Sequence, residues 1–238
     1  TTIKGPANQL QTLVRWQAPQ ATYAASGEIG LANGVMTLGN TRMAVAQGTV
    51  TANARIQNGQ WKADIAANQL ALNQFSPQLR GQFSGQFTAR GRVNALNPAG
   101  IQASGAARLS EGLAMIRDPL TANLTWNGRQ LMVNRATAPG FSASGTILAQ
   151  LDGPGAPAIQ NFNFDVQASN VDLNQLGLET PVPIAYSGRA DFNGTIQGTP
   201  TQPVVRGNLA LRDFTVNQIA FDPVMTGTVT YDQGVNLY

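Results

Sequence analysis

The groups in this chain that could do chemistry are carboxylates. The 238 residues include no histidine and no cysteine, so imidazole proton transfer, thiol nucleophiles and disulfides are excluded. The acids (Glu28, Asp64, Glu111, Asp118, Asp152, Asp165, Asp172, Glu179, Asp191, Asp213, Asp222 and Asp232) are spread singly. Two of them converging in space could still serve as the acid and nucleophile of glycoside hydrolysis. Asp118 and Asp222 precede proline at strand starts, where turn formation accounts for them. Asp152-Gly153 lacks the further acids of a calcium loop. Gly188 to Gly198 lacks the Gly-Lys-Ser/Thr and the following helix of a phosphate loop. The expectation is a protein that is not an enzyme, with no catalytic residue, no metal and no cofactor.

The elements that carry these residues are strands. In the stretch 186–238, Ala190, Phe192, Gly194, Ile196 and then Val205, Gly207, Leu209, Leu211 fall on every second position, with Arg189, Asp191, Asn193 and Arg206, Asn208, Arg212 mostly between them. That is the period of a strand with one apolar and one wet face. Gly198, Pro200, Pro203, Asp222-Pro223 and Gln233-Gly234 punctuate the runs, because proline cannot donate to a ladder and glycine tolerates positive φ.

Earlier residues repeat this template. Leu72-Asn73-Gln74-Phe75 answers Leu173-Asn174-Gln175-Leu176, Ser84-Gly85 answers Ser187-Gly188, and Asp118-Pro119 answers Asp222-Pro223, a period of roughly 100 residues. The expected organisation is a single elongated body with a partial repeat at 1–72, a repeat at 73–173 and a truncated one at 174–238. It reads as a fragment of a longer chain.

Charged residues are 11% of the chain and apolar ones 42%, too apolar and patterned for disorder. No run reaches the 18 or so apolar residues of a membrane span. The net charge of +3 comes from arginines scattered singly, which argues against a nucleic-acid partner. The absence of cysteine suits an oxidising compartment.

Residues 1–20 are poorly patterned, with Leu10, Leu13, Val14 and Trp16 near helical spacing, and read as a frayed strand or a short helix. Strands follow at 23–31, 35–46, 83–93, 101–109, 120–126, 131–137, 141–151 and 162–173. Asn33-Gly34, Asn58-Gly59 and Asn127-Gly128 signal tight hairpins and hence an antiparallel meander. Residues 73–81 and 174–183 interrupt the alternation and read as one helical turn or an irregular crossing loop.

Each strand has one apolar face, and no long amphipathic helix exists to cover it. A sandwich or closed barrel would cover it with its own second face. An all-β antiparallel sheet curled into an open, apolar-lined gutter would instead hold an apolar ligand, and the large-small alternation Phe141, Ala143, Gly145, Ile147, Ala149, Leu151 suits that curling. The residues assigned to the gutter lining are Phe83, Phe87, Val93, Leu109, Leu124, Trp126, Phe141, Ile147, Phe162, Phe164, Val166, Phe192, Ile196, Leu209, Leu211, Phe214 and Phe221. Trp16 and Trp61 are read as plain packing, and the facing of 224–231 is left open because a bulge would flip it. The competing reading is a structural or adhesive secreted β-repeat protein with a closed core. An outer-membrane barrel, whose apolar face would point outward, is disfavoured.

The order Gly194-Thr195-Ile196, Pro203-Val204-Val205-Arg206-Gly207-Asn208-Leu209-Ala210-Leu211, Phe214-Thr215-Val216, Phe221-Asp222-Pro223-Val224 and Thr226-Gly227-Thr228-Val229 resembles the repeating body of the TamB (translocation and assembly module, AsmA-like) family. The likeness is closest to its cyanobacterial and plastid-envelope members. The resemblance implies a bridge-like lipid transfer protein anchored at the inner membrane, crossing the periplasm or envelope space as a β-taco. Lipid acyl chains would slide in its groove between inner and outer membranes. It also implies a role in outer-membrane protein assembly or import, with a partner of the Omp85 type engaged through regions outside this piece.

Overall fold

The computed structural model describes residues 2–4, 11–75, 79–112, 116–150, 158–175, 185–232 and 235–237. The chain is all-β and antiparallel. It forms two units, Thr1–Ser110 with Thr125–Gly128, and Glu111–Leu124 with Arg129–Tyr238. In the first unit β1 (Thr2–Lys4), β2 (Gln11–Ala18), β3 (Ala25–Ala32), β4 (Val35–Val45), β5 (Gly48–Gln57), β6 (Gln60–Ala71), β7 (Gln82–Arg92) and β8 (Ile101–Leu109) pair in chain order as a meander. β9 (Leu120–Trp126) follows.

The second unit continues the plan. β10 (Gln130–Ala138), β11 (Phe141–Gln150), β12 (Ala158–Asp172), β13 (Tyr186–Thr199) and β14 (Gln202–Val216) pair in order. β14 then takes both the two-residue β15 (Ile219–Ala220) and β16 (Val224–Asp232), and β16 takes β17 (Val235–Leu237). Among the described residues the first and last strands of either meander do not pair, so the sheet is not closed.

The segment 11–18 is a strand, not a helix. Val14, Trp16 and Ala18 alternate toward one face while Leu13, whose presence suggested helical spacing, points the other way and is exposed. Asn33-Gly34 and Asn58-Gly59 both have positive φ at each residue, as a two-residue mirror-image turn requires. Asn127-Gly128 does not make that turn. Only Gly128 has positive φ, and the connection runs on to Gln130 because Trp126 donates its indole N–H to the Pro98 carbonyl at 2.9 Å, holding the loop against residues 98–100.

Two further hairpins of the same kind lack glycine: Ala46-Gln47 (φ 46° and 63°) and Asn217-Gln218 (φ 47° and 70°). A side chain in this left-handed region costs about 1–2 kcal/mol unless it is Gly, Asn or Asp. Replacing Ala46-Gln47 by Asn-Gly is therefore expected to stabilise the chain by about 1 kcal/mol, seen as a rise of a few degrees in thermal midpoint.

A recurrent feature of the sheet is a bulge with an interstrand latch. The register slips at Asn40, Gln69, Asn170 and Asp213, each at positive φ. At three of them the freed backbone N–H is taken by a polar side chain of the next strand: Asn40 by Asn53 Oδ1 (3.0 Å), Gln69 by Ser84 Oγ (3.0 Å) and Asn170 by Asp191 Oδ1 (2.6 Å). The bulges at Gln69 and Asn170 are each followed by a single 3-10 turn, Leu72–Gln74 and Leu173–Gln175. The same local sequence thus takes the same local structure, one helical turn after the strand. The rest of the second crossing, 176–184, lies outside the described residues.

Asp191 also pairs with Arg212 on β14. Removing its carboxylate strands the Asn170 N–H and the Arg212 charge together. Asp191→Ala is expected to lower stability by about 1–3 kcal/mol, with Asp191→Asn recovering much of the loss because it keeps an acceptor, both read from denaturant melts.

Candidate functional site: an uncharged sheet face

Cross-strand partners lie on the same side of a sheet, so the register sorts every paired residue onto one of two faces. In the first unit one face is built of rows such as Val14, Ile29, Leu38, Ala54, Ala63, Ala89, Ala103 and Leu31, Met36, Ile56, Trp61, Gly91, Ile101. The other carries Arg15, Glu28, Thr51, Asn53, Lys62, Asp64, Thr88, Arg90 and Gln102. In the second unit the corresponding rows are Val133, Gly145, Phe164, Ile196, Val205, Tyr231 and Ala138, Phe141, Ala168, Phe192, Leu209, Gly227. Among the described residues that pair, no charged one falls on the apolar face of either unit.

The expected lining residues can be placed one by one. Phe83, Phe87 and Leu109 share the apolar face of the first unit. Phe141, Ile147, Phe162, Phe164, Val166, Phe192, Ile196, Leu209 and Leu211 share that of the second. Leu124 joins it by alternation, because Thr121 meets the Thr137 hydroxyl at 3.0 Å on the polar side. Phe214 follows by alternation from Thr215 and lies tilted against Phe221 with ring centroids 5.4 Å apart, although Phe221 lies just past β15 and is exposed. Val93 lies one residue beyond β7 and is exposed; Trp126 continues the alternation of Leu124 along β9. The open question at 224–231 resolves without a flip: Met225, Gly227, Val229 and Tyr231 pair with Leu211, Leu209, Gly207 and Val205.

Sequence reasoning left out most of the first unit's face. Trp16 and Trp61 stand on it, as do Val50, Ala52, Ile56 and Ile65. Their signal was present, since 50, 52, 54 and 56 alternate with Thr49, Thr51, Asn53 and Arg55. It was masked by small side chains.

The face is built to be level. Large rings lie down over glycines: a Cβ on Gly27 would stand 3.0 Å from the Trp16 ring, on Gly91 3.0 Å from Trp61, on Gly105 2.6 Å from Phe87 and on Gly145 2.7 Å from Phe164. Phe192 covers both Gly194 and Gly207, each 2.7 Å from the ring by the same measure. The ring thus fills the space above a residue with no side chain and shields its backbone. The buried positions of the sheet are mostly small, among them Ala63, Ala67, Ala89, Ala107, Ala136, Ala143 and Ala190, all on this face. Among the described residues no large side chain is fully buried; Met36 is 38% and Leu31 51% exposed.

Among the described residues three buried polar atoms on this face have no hydrogen-bond partner in the protein: Trp16 Nε1, Trp61 Nε1 and Thr41 Oγ1, the last on a residue only 6% exposed. Trp16 and Thr41 flank Gly27. On the polar face, Arg15 binds Glu28 at 2.7 Å and Asn40 donates to its other oxygen at 3.0 Å. The Arg15 and Asn40 hydrogen bonds hold the Glu28 carboxyl below its usual value, so whatever stability this pair contributes is present at neutral pH and lost as pH falls through that lowered value.

Fold and face together define an open antiparallel meander with one polar and one uncharged apolar side. No family model matches the chain, and neither a curated protein nor a solved structure matches it. Among the described residues no three of His, Cys, Asp and Glu gather as metal ligands, and no helix is long and apolar enough to cross a membrane.

Proposed function

We propose that the apolar face of each unit carries lipid acyl chains, and that the chain is a segment of a longer bridge-like lipid transfer protein. The observation that supports this is the face itself, uncharged in both units and with no large side chain fully buried among the described residues. Soluble monomers rarely leave more than a few hundred Å² of contiguous apolar surface open, so such a face calls for a cover. An acyl chain is a fluid cover that gains about 0.8 kcal/mol for each CH₂ withdrawn from water.

Levelness bears on movement. With rings laid over glycines, neighbouring positions differ little in depth, and a chain sliding along them crosses no tall barrier. The curling of the sheet into a gutter, the repeat of roughly 100 residues, the inner-membrane anchor and the periplasmic or envelope setting belong to the same reading. So does the partnership with an outer-membrane assembly protein. They rest on the resemblance to the TamB family.

The test is organic extraction and mass spectrometry of the purified chain beside an unrelated protein prepared identically. Phospholipid or glycolipid above the control is expected. Lipid no higher than the control, with a compact closed body by solution scattering, would turn the assignment to a structural β-repeat.

A further inference from the structure

Arginines that are scattered in the sequence meet on the polar face of the first unit. The register sets Thr37, Arg55, Lys62, Arg90 and Gln102 in one row across β4 to β8, and Arg92 stands one row on, opposite Gln60. Strands lie about 4.8 Å apart, so the three adjacent cations of the row leave the sheet within roughly 10 Å of one another. Like charges directly opposite destabilise a sheet. The row nonetheless has no carboxylate to relieve it. Arg55 Nη2 donates to Gln57 Oε1 and Arg90 Nε to Gln102 Oε1, both at 3.0 Å, so neutral amides orient the two guanidinium groups without cancelling their charge. The nearest acid, Asp64, takes the Thr88 hydroxyl at 2.9 Å, and the ion pairs of the described residues lie elsewhere. Thr37, Arg55, Gln57, Lys62 and Arg90 line an open cleft of about 820 Å³, which Asp64 also borders.

We propose that this row is a binding site for a phosphate group. Planar guanidinium groups present paired donors that match phosphate oxygens, and an ammonium between them adds a point charge. A dianionic phosphomonoester answers three adjacent cations better than a singly charged carboxylate. The site lies on the side of the sheet opposite the apolar face, so it stands whether or not that face carries lipid. The phosphate can come from a soluble ion or from a lipid headgroup at a membrane surface; the chemistry recognised is the same.

The experiment titrates the whole chain with inorganic phosphate by calorimetry, and separately with phosphatidylcholine vesicles containing or lacking phosphatidic acid. Saturable phosphate binding is expected, weakened at least tenfold in Lys62→Gln and Arg90→Gln and unchanged in Arg206→Gln, which removes one charge from the polar face of the second unit. Because the substitutions relieve repulsion, the thermal midpoints of the first two should stay level or rise. Vesicle binding that requires phosphatidic acid and is competed by free phosphate assigns a headgroup source; phosphate binding without vesicle binding assigns a soluble one. The proposal is overturned if phosphate does not saturate, if chloride competes as well as phosphate does, or if Arg206→Gln weakens binding as much as Lys62→Gln.

Discussion

Changing Phe87, Phe164, Phe192 and Leu211 together to Asp is expected to cut co-purifying lipid by at least tenfold while leaving the sheet folded. The four positions share the apolar faces, with Phe87 between Ile65 and Gly105, Phe164 between Gly145 and Ile196, and Phe192 between Ala168 and Leu209. Leu211 stands between Ala190 and Met225. An acyl chain of sixteen carbons gains roughly 12 kcal/mol when fully withdrawn from water at about 0.8 kcal/mol per CH₂. A carboxylate on its path must either keep its water, which lifts the chain from the face, or lose it at a cost of several kcal/mol. Either way four such sites remove most of the gain. The sheet can tolerate them because the side chains at these positions are partly exposed rather than buried, which leaves an introduced carboxylate a path to water. Circular dichroism checks that it does, and a set changed to Gln serves if the acids unfold it. Lipid retained at the native level by a folded variant would remove the apolar face from the function.

Much of this face could be read from the chain alone, because burial imposes a period of two on the sequence. Strands 101–109 and 120–126 are found at the expected residues, and Asn33-Gly34 and Asn58-Gly59 turn as their tolerance of positive φ demands. The bulges could not be read. Asn40, Gln69 and Asn170 look like ordinary polar strand residues, and what makes them bulges is a latch from Asn53, Ser84 or Asp191 on the next strand, 13 to 21 residues away. The hairpin at Ala46-Gln47 was hidden for a related reason, since the pairing of Val45 with Gly48 imposes a conformation that its residues do not favour. The row of Arg55, Lys62 and Arg90 is invisible in one dimension, because only the register of three strands brings single charges together. Local pattern reveals what faces inward; it does not reveal what lies alongside.

A severe loss of stability from a single methyl group is expected at Gly194. Gly194 and Gly207 face each other across β13 and β14, under the ring of Phe192. A Cβ on Gly194 would collide with the Arg206 carbonyl oxygen and stand 2.5 Å from Gly207 Cα and 2.7 Å from Phe192 Cζ. The ring could swing away, but the two backbone contacts can be relieved only by parting the strands. β13 and β14 form one of the longest ladders of the chain, from Tyr186 opposite Val216 to Thr199 opposite Gln202, so parting them at its centre breaks pairing on both sides. Gly194→Ala should therefore cost more than about 3 kcal/mol, in the range of severe overpacking. Gly39 supplies the contrast. It lies in β4, and a Cβ there would meet nothing within 4 Å. Gly39→Ala is expected to be neutral or to stabilise by up to about 1 kcal/mol through the lower entropy of the unfolded chain. The two variants carry the same chemical change, so denaturant melts that moved equally for both would mean that close approach of bare backbone beneath an aromatic ring does not hold this sheet together.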